Sequence, residues 1–214
     1  MTSPPPSVQT VIVGIDEAGR GALAGPVVAG ACVLADALSL HPLIRDSKEL
    51  TAEQRGEAFA FIIAHCPYGV GIVDHAFIDA NGILAATERA MQEAVAELAK
   101  IVTPTYLLID GRDQFWFDYP KSSIIKGDQK ELCIAAASIV AKVTRDRLMM
   151  DYARAFPHYG FDVHKGYGTP EHFGAIRKNG PCRLHRRTFI SPSPPSATET
   201  PPPRTPVPSA PVRA

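Results

Sequence analysis

The stretch VIVGIDEAGRGALAGPVV, residues 11–28, decides how this chain begins to fold. An apolar, β-branched block runs into two adjacent carboxylates, Asp16 and Glu17, and a second apolar block begins near Val27. Apolar runs bounded by glycine predict two strands, and their short separation predicts an antiparallel hairpin. Consecutive residues of a strand face opposite sides of a sheet. Asp16 and Glu17 can therefore share one site only if the strand ends or bulges there.

The rest of the chain alternates between strand and helix patterns. Period-two or short buried apolar runs predict further strands, and apolar residues at helical spacing predict helices. The predicted strands are 68–74, 105–110 and 122–128, and the predicted helices are 50–65, 82–100, 130–156 and 170–180. This order predicts an α/β fold in which a mixed sheet is covered by helices and followed by a C-terminal helical part.

Length and composition predict one globular domain. The chain has 214 residues, of which 45% are hydrophobic and 21% are charged, as in ordinary globular proteins. We expect a flexible N-terminus at 1–9, a folded domain at 10–190 and a disordered proline-rich tail at 191–214. The tail has too few large apolar residues to offset its ordering entropy. A polyproline-type ligand for a partner protein is the alternative interpretation of the tail.

Targeting and cysteine patterns predict a cytoplasmic protein that has no membrane association. The first ten residues lack a cationic start and an apolar core, so they do not form a secretory signal. No apolar run reaches the roughly 20 residues needed to cross a bilayer. The cysteines stand far apart without a C-x-x-C pair, which favours reduced thiols over a disulfide framework or a zinc site. They are Cys32, Cys66, Cys133 and Cys182.

Charge is distributed unevenly although the formal net charge is zero. Residues 1–120 contain seven Lys/Arg and fifteen Asp/Glu, whereas residues 121–190 contain thirteen Lys/Arg and six Asp/Glu. An acidic region combined with a basic one suits a protein that holds metal ions and faces a polyanion. A chance imbalance between solvated faces is the alternative.

Four acids stand where strands end or a helix begins: Asp16, Glu17, Asp110 and Asp128. The ends of strands in an open α/β sheet line its ligand crevices. Carboxylates that converge there repel one another unless a cation neutralises them, and oxygen ligands suit Mg²⁺ or Mn²⁺. Each acid also has a structural interpretation. Asp16 and Glu17 fit a solvated strand end, Asp110 fits a turn with Gly111, and Asp128 fits a capping box with Glu131.

The segment Gly19-Arg20-Gly21 matches neither common glycine-rich phosphate motif, which weakens a nucleotide-binding interpretation. Glycine lets the backbone approach a ligand closely, and the arginine between the glycines can address phosphate. A plain turn is the alternative. Lys48, just before a predicted helix, is a second phosphate candidate or a solvated surface lysine.

The segment 158–189 interleaves cations with aromatic rings, as nucleic-acid surfaces do. Its four histidines lack compact ligand spacing, so a zinc site is not expected there.

These motifs occur in an order that resembles bacterial ribonuclease HII. The matching stretches are GIDEAGRGALAGPVVAGACVL, DSKELT, LLIDG, IIKGDQKELCIAAASIVAKVTRDRLM and HKGYGT with the later HRRTF, and together they span about 11–190. The resemblance implies a ribonuclease H-like fold with a mixed five-stranded sheet. It implies an endoribonuclease that hydrolyses the RNA strand of RNA–DNA hybrids and nicks duplex DNA 5′ of embedded ribonucleotides. Such an enzyme works in DNA replication and ribonucleotide excision repair.

The resemblance also implies roles for individual residues. The four acids would be catalytic metal ligands for two Mn²⁺ or Mg²⁺ ions, a pairing known for phosphodiester cleavage. The Gly19-Arg20-Gly21 segment and Tyr167 would recognise the ribose 2′-hydroxyl, and Lys48 would lie near a substrate phosphate. Ala22 departs from the proline that is more usual after Gly-Arg-Gly. The partners implied are RNA–DNA hybrid and ribonucleotide-containing duplex DNA, and we expect a monomer.

Three alternatives are less well supported. A ribonuclease HIII would carry an extra N-terminal domain, whereas the first motif here begins at residue 11. A catalytically silent hybrid-binding module would not need the full set of acids. A nucleotide-binding phosphotransferase would need a phosphate loop of the usual kind.

Overall fold

The computed structural model describes residues 10–34 and 42–190. The predicted flexible N-terminus (1–9) and proline-rich tail (191–214) lie outside the described residues. Within that range no helix is both long and apolar enough to cross a membrane.

Five strands form one mixed sheet in the order β3-β2-β1-β4-β5. The strands β1 and β2 form the predicted antiparallel hairpin, β3 extends it, and β4 and β5 run parallel to β1. The strands are β1 (Ile12–Ala18), β2 (Val27–Cys32), β3 (Tyr68–Val73), β4 (Tyr106–Asp110) and β5 (Lys121–Ile124). The predicted mixed five-stranded sheet is therefore confirmed.

The helices cover both faces of this sheet. The seven α-helices of the described chain are α1 (Ala52–His65), α2 (His75–Asn81), α3 (Ile83–Ala99), α4 (Leu132–Ala155), α5 (Phe161–His164), α6 (Pro170–Asn179) and α7 (Arg187–Ile190). Helix α1 starts at Thr51 with a complete capping box, as its sequence predicts. Helix α2 and the short helices α5 and α7 had no apolar periodicity long enough to predict them.

Helix α4 lies very close to the sheet because two glycines face it. A Cβ on Gly14 of β1 would lie 2.2 Å from the Cys133 carbonyl carbon, and one on Gly30 of β2 would lie 2.4 Å from the Ala137 oxygen. Helix α3 approaches β3 on the opposite face in the same way, over Gly69 and Gly71. The sheet is thus enclosed between two helices, and α4 brings polar side chains to the end of β1.

Candidate active site

A cleft of about 390 Å³ opens where β1 and β4 end. It brings together most of the residues that the sequence singled out. Those that line it are Asp16, Glu17, Asp110, Gly19, Arg20, Gly21, Lys48 and Tyr167. Asp128 does not line this cleft but an adjoining one, and its carboxylate contacts the Lys48 side chain that the main cleft shares.

Sheet register places Asp16 and Asp110 side by side. Pairing between β1 and β4 ends at Ile15 and Ile109, and the two acids are the next residues on these parallel strands. Side chains alternate along a strand, so Asp16 shares the face of Gly14, which is covered by α4. Ser138 of α4 accordingly lines the same cleft, where its hydroxyl partly opposes the rise in the pKa of Asp16, and the Ser138 Oγ lies 2.9 Å from the Ser47 Oγ.

The predicted bulge or strand end at 16–17 is wrong. Strand β1 pairs with β2 in unbroken register through Ala18, so Asp16 and Glu17 start out on opposite faces. They reach the same cleft because the Asp16 side chain turns along the strand, where the Glu17 N–H donates to its Oδ1 at 2.7 Å. Only the pairing with β4 has stopped by this point, which leaves both carboxylates at an open edge.

Burial makes the acidic charge at this edge costly. Desolvation raises the pKa of Asp16 well above its usual value, and the neighbouring Glu17 and Asp110 carboxylates raise it further. Desolvation also raises the pKa of Glu17, although Arg20 opposes the rise. The Arg20 Nη1 donates to Glu17 Oε1 at 3.2 Å and to Asp113 Oδ2 at 2.8 Å. The Glu17 Oε2 is buried and has no hydrogen-bond partner.

Asp110 and Gly111 make the turn that their sequence suggests, and the carboxylate is still directed to the cleft. Gly111 has φ 98°, a left-handed conformation that suits glycine. The Asp110 Oδ1 accepts a 2.6 Å hydrogen bond from the N–H of Gly127, in the turn that follows β5. The turn and the site interpretations of Asp110 are therefore compatible.

Asp128 does not cap α4, which corrects the capping-box interpretation. It lies in a 3₁₀ turn (Gly127–Gln129), and α4 starts after Glu131 without a side-chain cap. The buried carboxylate of Asp128 instead accepts from Lys48 Nζ at 2.9 Å. Asp46 organises this contact because it accepts from the Lys48 N–H and from the Gln129 side chain.

The two glycines around Arg20 have different structural roles. Gly19 has φ 96°, and a Cβ there would lie 2.0 Å from Nε of Arg145, so its small size makes room for a protein side chain. An added Cβ on Gly21 meets nothing within 4 Å. Gly21 is therefore the glycine that leaves room for a ligand. The Ala22 N–H closes the turn by donating to Gly19 O at 3.3 Å, a bond that the more usual proline would not make.

Two fully buried arginines fix this loop from behind. Arg145 of α4 donates to the carbonyls of Pro26, Ala24 and Lys165. Arg186 donates to Gly25 O at 3.0 Å and to Arg20 O at 2.9 Å. Desolvation lowers the pKa of both guanidinium groups, that of Arg186 to about 9. Backbone carbonyls satisfy most donors of these buried arginines, and all of those carbonyls except Lys165 O belong to residues 20–26, whereas Arg186 Nη2 is buried without a hydrogen-bond partner.

Tyr167 is tied to the same loop from the C-terminal part of the chain. It forms an antiparallel bridge with Ala22, and the Leu23 N–H donates to Gly166 O at 2.8 Å. The ring of Tyr167 lies 5.8 Å from Lys142 Nζ and 5.2 Å from the Arg145 guanidinium carbon. A residue 146 positions away in sequence thus borders the Gly19–Gly21 loop.

The donor set fits a hard divalent cation, although its side chains are engaged with protein groups. Among the described residues, no three acidic, histidine or cysteine side chains already surround a single point. Glu17 is turned to Arg20, and Asp128 is turned to Lys48. The buried, unpartnered Glu17 oxygen and the raised pKa of Asp16 both mark a place where added positive charge is favourable.

Several residues of the cleft escaped sequence reasoning. Ser138 and Arg145 are polar residues within the apolar helix pattern 132–149, and that interruption was the available signal. Asp46, Asp113 and Arg186 act through partners that are distant in sequence. Arg55 and Lys142 contact residues close in sequence, and nothing in their local pattern separates them from ordinary surface cations.

Comparisons of this chain with known sequences and with solved structures find proteins of the same family. The family model for ribonuclease HII matches residues 13–191. A ribonuclease HII from Geobacter metallireducens is 53% identical over 180 residues, 83% of either chain. One from Syntrophus aciditrophicus is 49% identical over 84% of either chain. A solved ribonuclease HII, in complex with PCNA from Archaeoglobus fulgidus, is similar with a TM-score of 0.70 and 26% identity, covering 85% of this chain and 95% of that one.

Proposed function

The chain belongs to the ribonuclease HII family, and from this premise we propose how the residues of the cleft share the family's reaction. The protein is a metal-dependent endoribonuclease. It hydrolyses the RNA strand of RNA–DNA hybrids and nicks duplex DNA 5′ of embedded ribonucleotides. The products of such hydrolysis carry 5′-phosphomonoester ends.

Asp16, Glu17, Asp110 and Asp128 are the catalytic acids, and they hold the metal ions. The single observation that carries this assignment is the convergence of the Asp16, Glu17 and Asp110 carboxylates where β1 and β4 end, with an unpartnered Glu17 oxygen among them. Asp128 is added to this set through Lys48, which contacts its carboxylate and lines the same cleft. The cofactor is Mn²⁺ or Mg²⁺, two ions during catalysis, since an all-oxygen donor set suits hard cations. Bound at these acids, the ions supply an activated water and stabilise charge on the leaving 3′-oxygen.

The remaining side chains orient these acids and limit their repulsion. The Ser138 hydroxyl lowers the pKa of Asp16, and Arg20 neutralises part of the charge on Glu17 and Asp113. Lys48 pairs with Asp128 from an exposed position, where it also reaches solvent in the cleft. A substrate phosphate that enters the cleft would meet this ammonium first.

Substrate recognition is assigned to the Gly19–Gly21 loop, Tyr167 and Lys48. The open space at Gly21 lets the loop backbone approach a ribose, and the 2′-hydroxyl is the group that separates RNA from DNA. The bridge between Ala22 and Tyr167 sets the tyrosine beside that loop. Arg20 contributes chiefly by linking the loop to Glu17, because its Nη1 contacts carboxylates.

The partners are RNA–DNA hybrid and ribonucleotide-containing duplex DNA, and we propose that the protein acts as a monomer in the cytoplasm. Size-exclusion chromatography with light scattering would check the monomer, for which one chain mass is expected.

The decisive experiment uses a DNA duplex that carries one ribonucleotide, incubated with Mn²⁺, Mg²⁺ or a chelator. We expect a nick 5′ of the ribonucleotide only with metal, and Asp16→Asn is expected to abolish it. Asp118→Asn, at an exposed aspartate, is the matched control and should cleave like the parent. Calorimetric titration with Mn²⁺ should show weakened binding in Asp16→Asn alone. A chelator-resistant nick, or hybrid binding without any nick, would refute the assignment.

A further inference from the structure

Three buried histidines lie together beneath Tyr167, and the reaction described above does not use them. His164, His172 and His185 are all at most 9% exposed. The rings of His164 and His172 stack at 4.2 Å, and Phe161 packs edge-on against both. Their spacing in sequence gave no reason to expect this cluster.

Hydrogen bonds assign the proton positions on two of these rings. The Cys182 N–H donates to Nδ1 of His185 at 2.9 Å, and the Cys182 thiol, 3.1 Å from the same nitrogen, is a second donor. Among the described residues, the one acceptor near Nδ1, the Cys182 carbonyl oxygen, is farther away at 3.3 Å. Because a backbone N–H can only donate, the shortest contact makes Nδ1 an acceptor and puts the His185 proton on Nε2. That Nε2 lies 3.0 Å from Nε2 of His172, which must therefore accept. The proton of His172 is then on Nδ1, which donates to Tyr167 O at 2.9 Å.

We propose that His172 and His185 are positioning residues for Tyr167. They act as a chain of neutral imidazoles that runs from the Cys182 backbone to the Tyr167 carbonyl. The chain continues into the substrate-recognition loop because Tyr167 bridges to Ala22, next to Gly21. This inference rests on the proposed role of Tyr167. It adds that tyrosine placement requires both histidines to be uncharged.

A proton on either ring would break the chain. His172 accepts a hydrogen bond at Nε2 from His185, and His185 accepts one at Nδ1 from the Cys182 N–H. A second proton on either ring would turn that acceptor nitrogen into a donor, which would then face another donor.

Among the described residues, no acid is a main influence on the pKa of either ring of the pair, and Glu171, next to His172 on α6, is exposed and acts on His164. The titratable or charged groups that face the pair are His164 of α5, Tyr159, Cys182 and Arg187 of α7. Burial raises the pKa of Tyr159 and of Cys182, so both stay neutral, and Arg187 is cationic. Desolvation lowers the pKa of His172, and desolvation together with His172 lowers that of His185 to about 4.

Two substitutions at one position separate positioning from packing. In His172→Asn the side-chain amide can replace Nδ1–H as the donor to Tyr167 O, whereas in His172→Gln the amide extends toward the Nε2 position and this donor is lost. We expect His172→Asn to keep kcat/KM on a duplex with one ribonucleotide within about 3-fold of the parent. We expect His172→Gln to lose about 10-fold, which corresponds to about 1.4 kcal/mol. The same changes at exposed His158 are the matched controls.

A pH profile of kcat/KM between pH 4.5 and 8 gives a second readout that a packing role would not move. His172→Asn should lose less activity than the parent at the acidic end, because asparagine does not titrate. Equal rates for His172→Asn and His172→Gln, or superimposable profiles for the parent and His172→Asn, would overturn the proposal.

Tyr167→Ala, measured alongside, distinguishes the two levels of the argument. A Tyr167→Ala protein that cleaves like the parent removes the recognition role of Tyr167, and the positioning proposal falls with it. If Tyr167→Ala loses activity but His172→Asn and His172→Gln cleave at the same rate, only the positioning proposal is overturned.

The ¹⁵N spectrum of the parent protein's imidazoles tests the hydrogen-bonded chain without any substitution. An Nδ1–H tautomer for His172 and an Nε2–H tautomer for His185 are expected, and the reverse assignment would refute the chain.

Discussion

Gly14→Ala should disturb both stability and catalysis, because the missing side chain at Gly14 is what lets α4 lie on β1. The new Cβ would stand 2.2 Å from the Cys133 carbonyl carbon and 2.3 Å from its oxygen, whereas ordinary contacts begin at 3.4 Å. Both neighbours are backbone atoms and cannot rotate away. Helix α4 must therefore shift from the sheet by about 1.2 Å at this point.

This displacement has an energetic cost and a functional one. Overpacking of a core costs about 1–3 kcal/mol, and we expect the upper end because rigid backbone is displaced. At this chain length a loss of about 3 kcal/mol lowers the melting temperature by roughly 10 °C. Gly14 precedes Asp16 by two residues on the same face, and Ser138 on α4 lines the cleft together with Asp16 and influences its pKa. A misplacement of about 1 Å near reacting groups can cost about 100-fold in rate.

Urea unfolding and the single-ribonucleotide cleavage assay measure the two effects. Gly56→Ala is the matched control, since a Cβ there meets nothing within 4 Å and the residue lies inside α1. That control should gain about 0.5–1 kcal/mol and keep full activity. If Gly14→Ala unfolds at the same urea concentration as the parent, the reasoning about this helix–sheet contact is wrong.

Three further predictions concern the cleft. Burial raises the pKa of Asp16, so the folded state loses stability as the pH rises above the usual pKa of a carboxyl group. At pH 8, Asp16→Asn should therefore unfold at a higher urea concentration than the parent. The two unfolding midpoints should converge as the pH falls toward 4. Arg186→Lys should lower the free energy of unfolding in urea by about 2 kcal/mol, because one ammonium replaces a guanidinium that contacts two loop carbonyls. Arg187→Lys, at an exposed site, should keep the stability of the parent. Equal stabilities of the two variants would refute the idea that Arg186 holds the loop. Gly21→Ala should fold normally and raise KM about 10-fold for the single-ribonucleotide duplex, whereas an unchanged KM would mean that substrate does not approach Gly21.

Local patterns in the sequence were sufficient for most elements of the fold. The hairpin of β1 and β2, the capped start of α1 and the long helices α3 and α4 all follow from period, glycine and cap residues close in the chain. Short elements such as α2 and α5 were missed because four to seven residues carry too little periodicity. The alternative interpretation of Asp128 as a helix cap is wrong, because its carboxylate binds Lys48, 80 residues away in sequence.

In the site, too, some features of the acids follow from the sequence and others depend on tertiary contacts. Their positions at predicted strand ends, together with the resemblance to ribonuclease HII, single out Asp16, Glu17, Asp110 and Asp128 from the sequence. The continuous strand at 16–17, with Asp16 turned along it, was not predictable, because a side-chain rotamer depends on neighbours such as Ser138.

The order of the strands and of the longer helices, the family, and the residue types available for metal and phosphate can all be read from the sequence, because they depend on local pattern and motif. Which glycine faces a ligand depends on the tertiary structure, since Arg145 packs against Gly19 whereas nothing lies within 4 Å of a Cβ on Gly21. The tertiary structure alone placed Arg145, Arg186 and the histidine pair behind the recognition loop. Those contacts join residues up to 166 positions apart, and hydrogen bonds over such separations form only once the chain has folded around a common core.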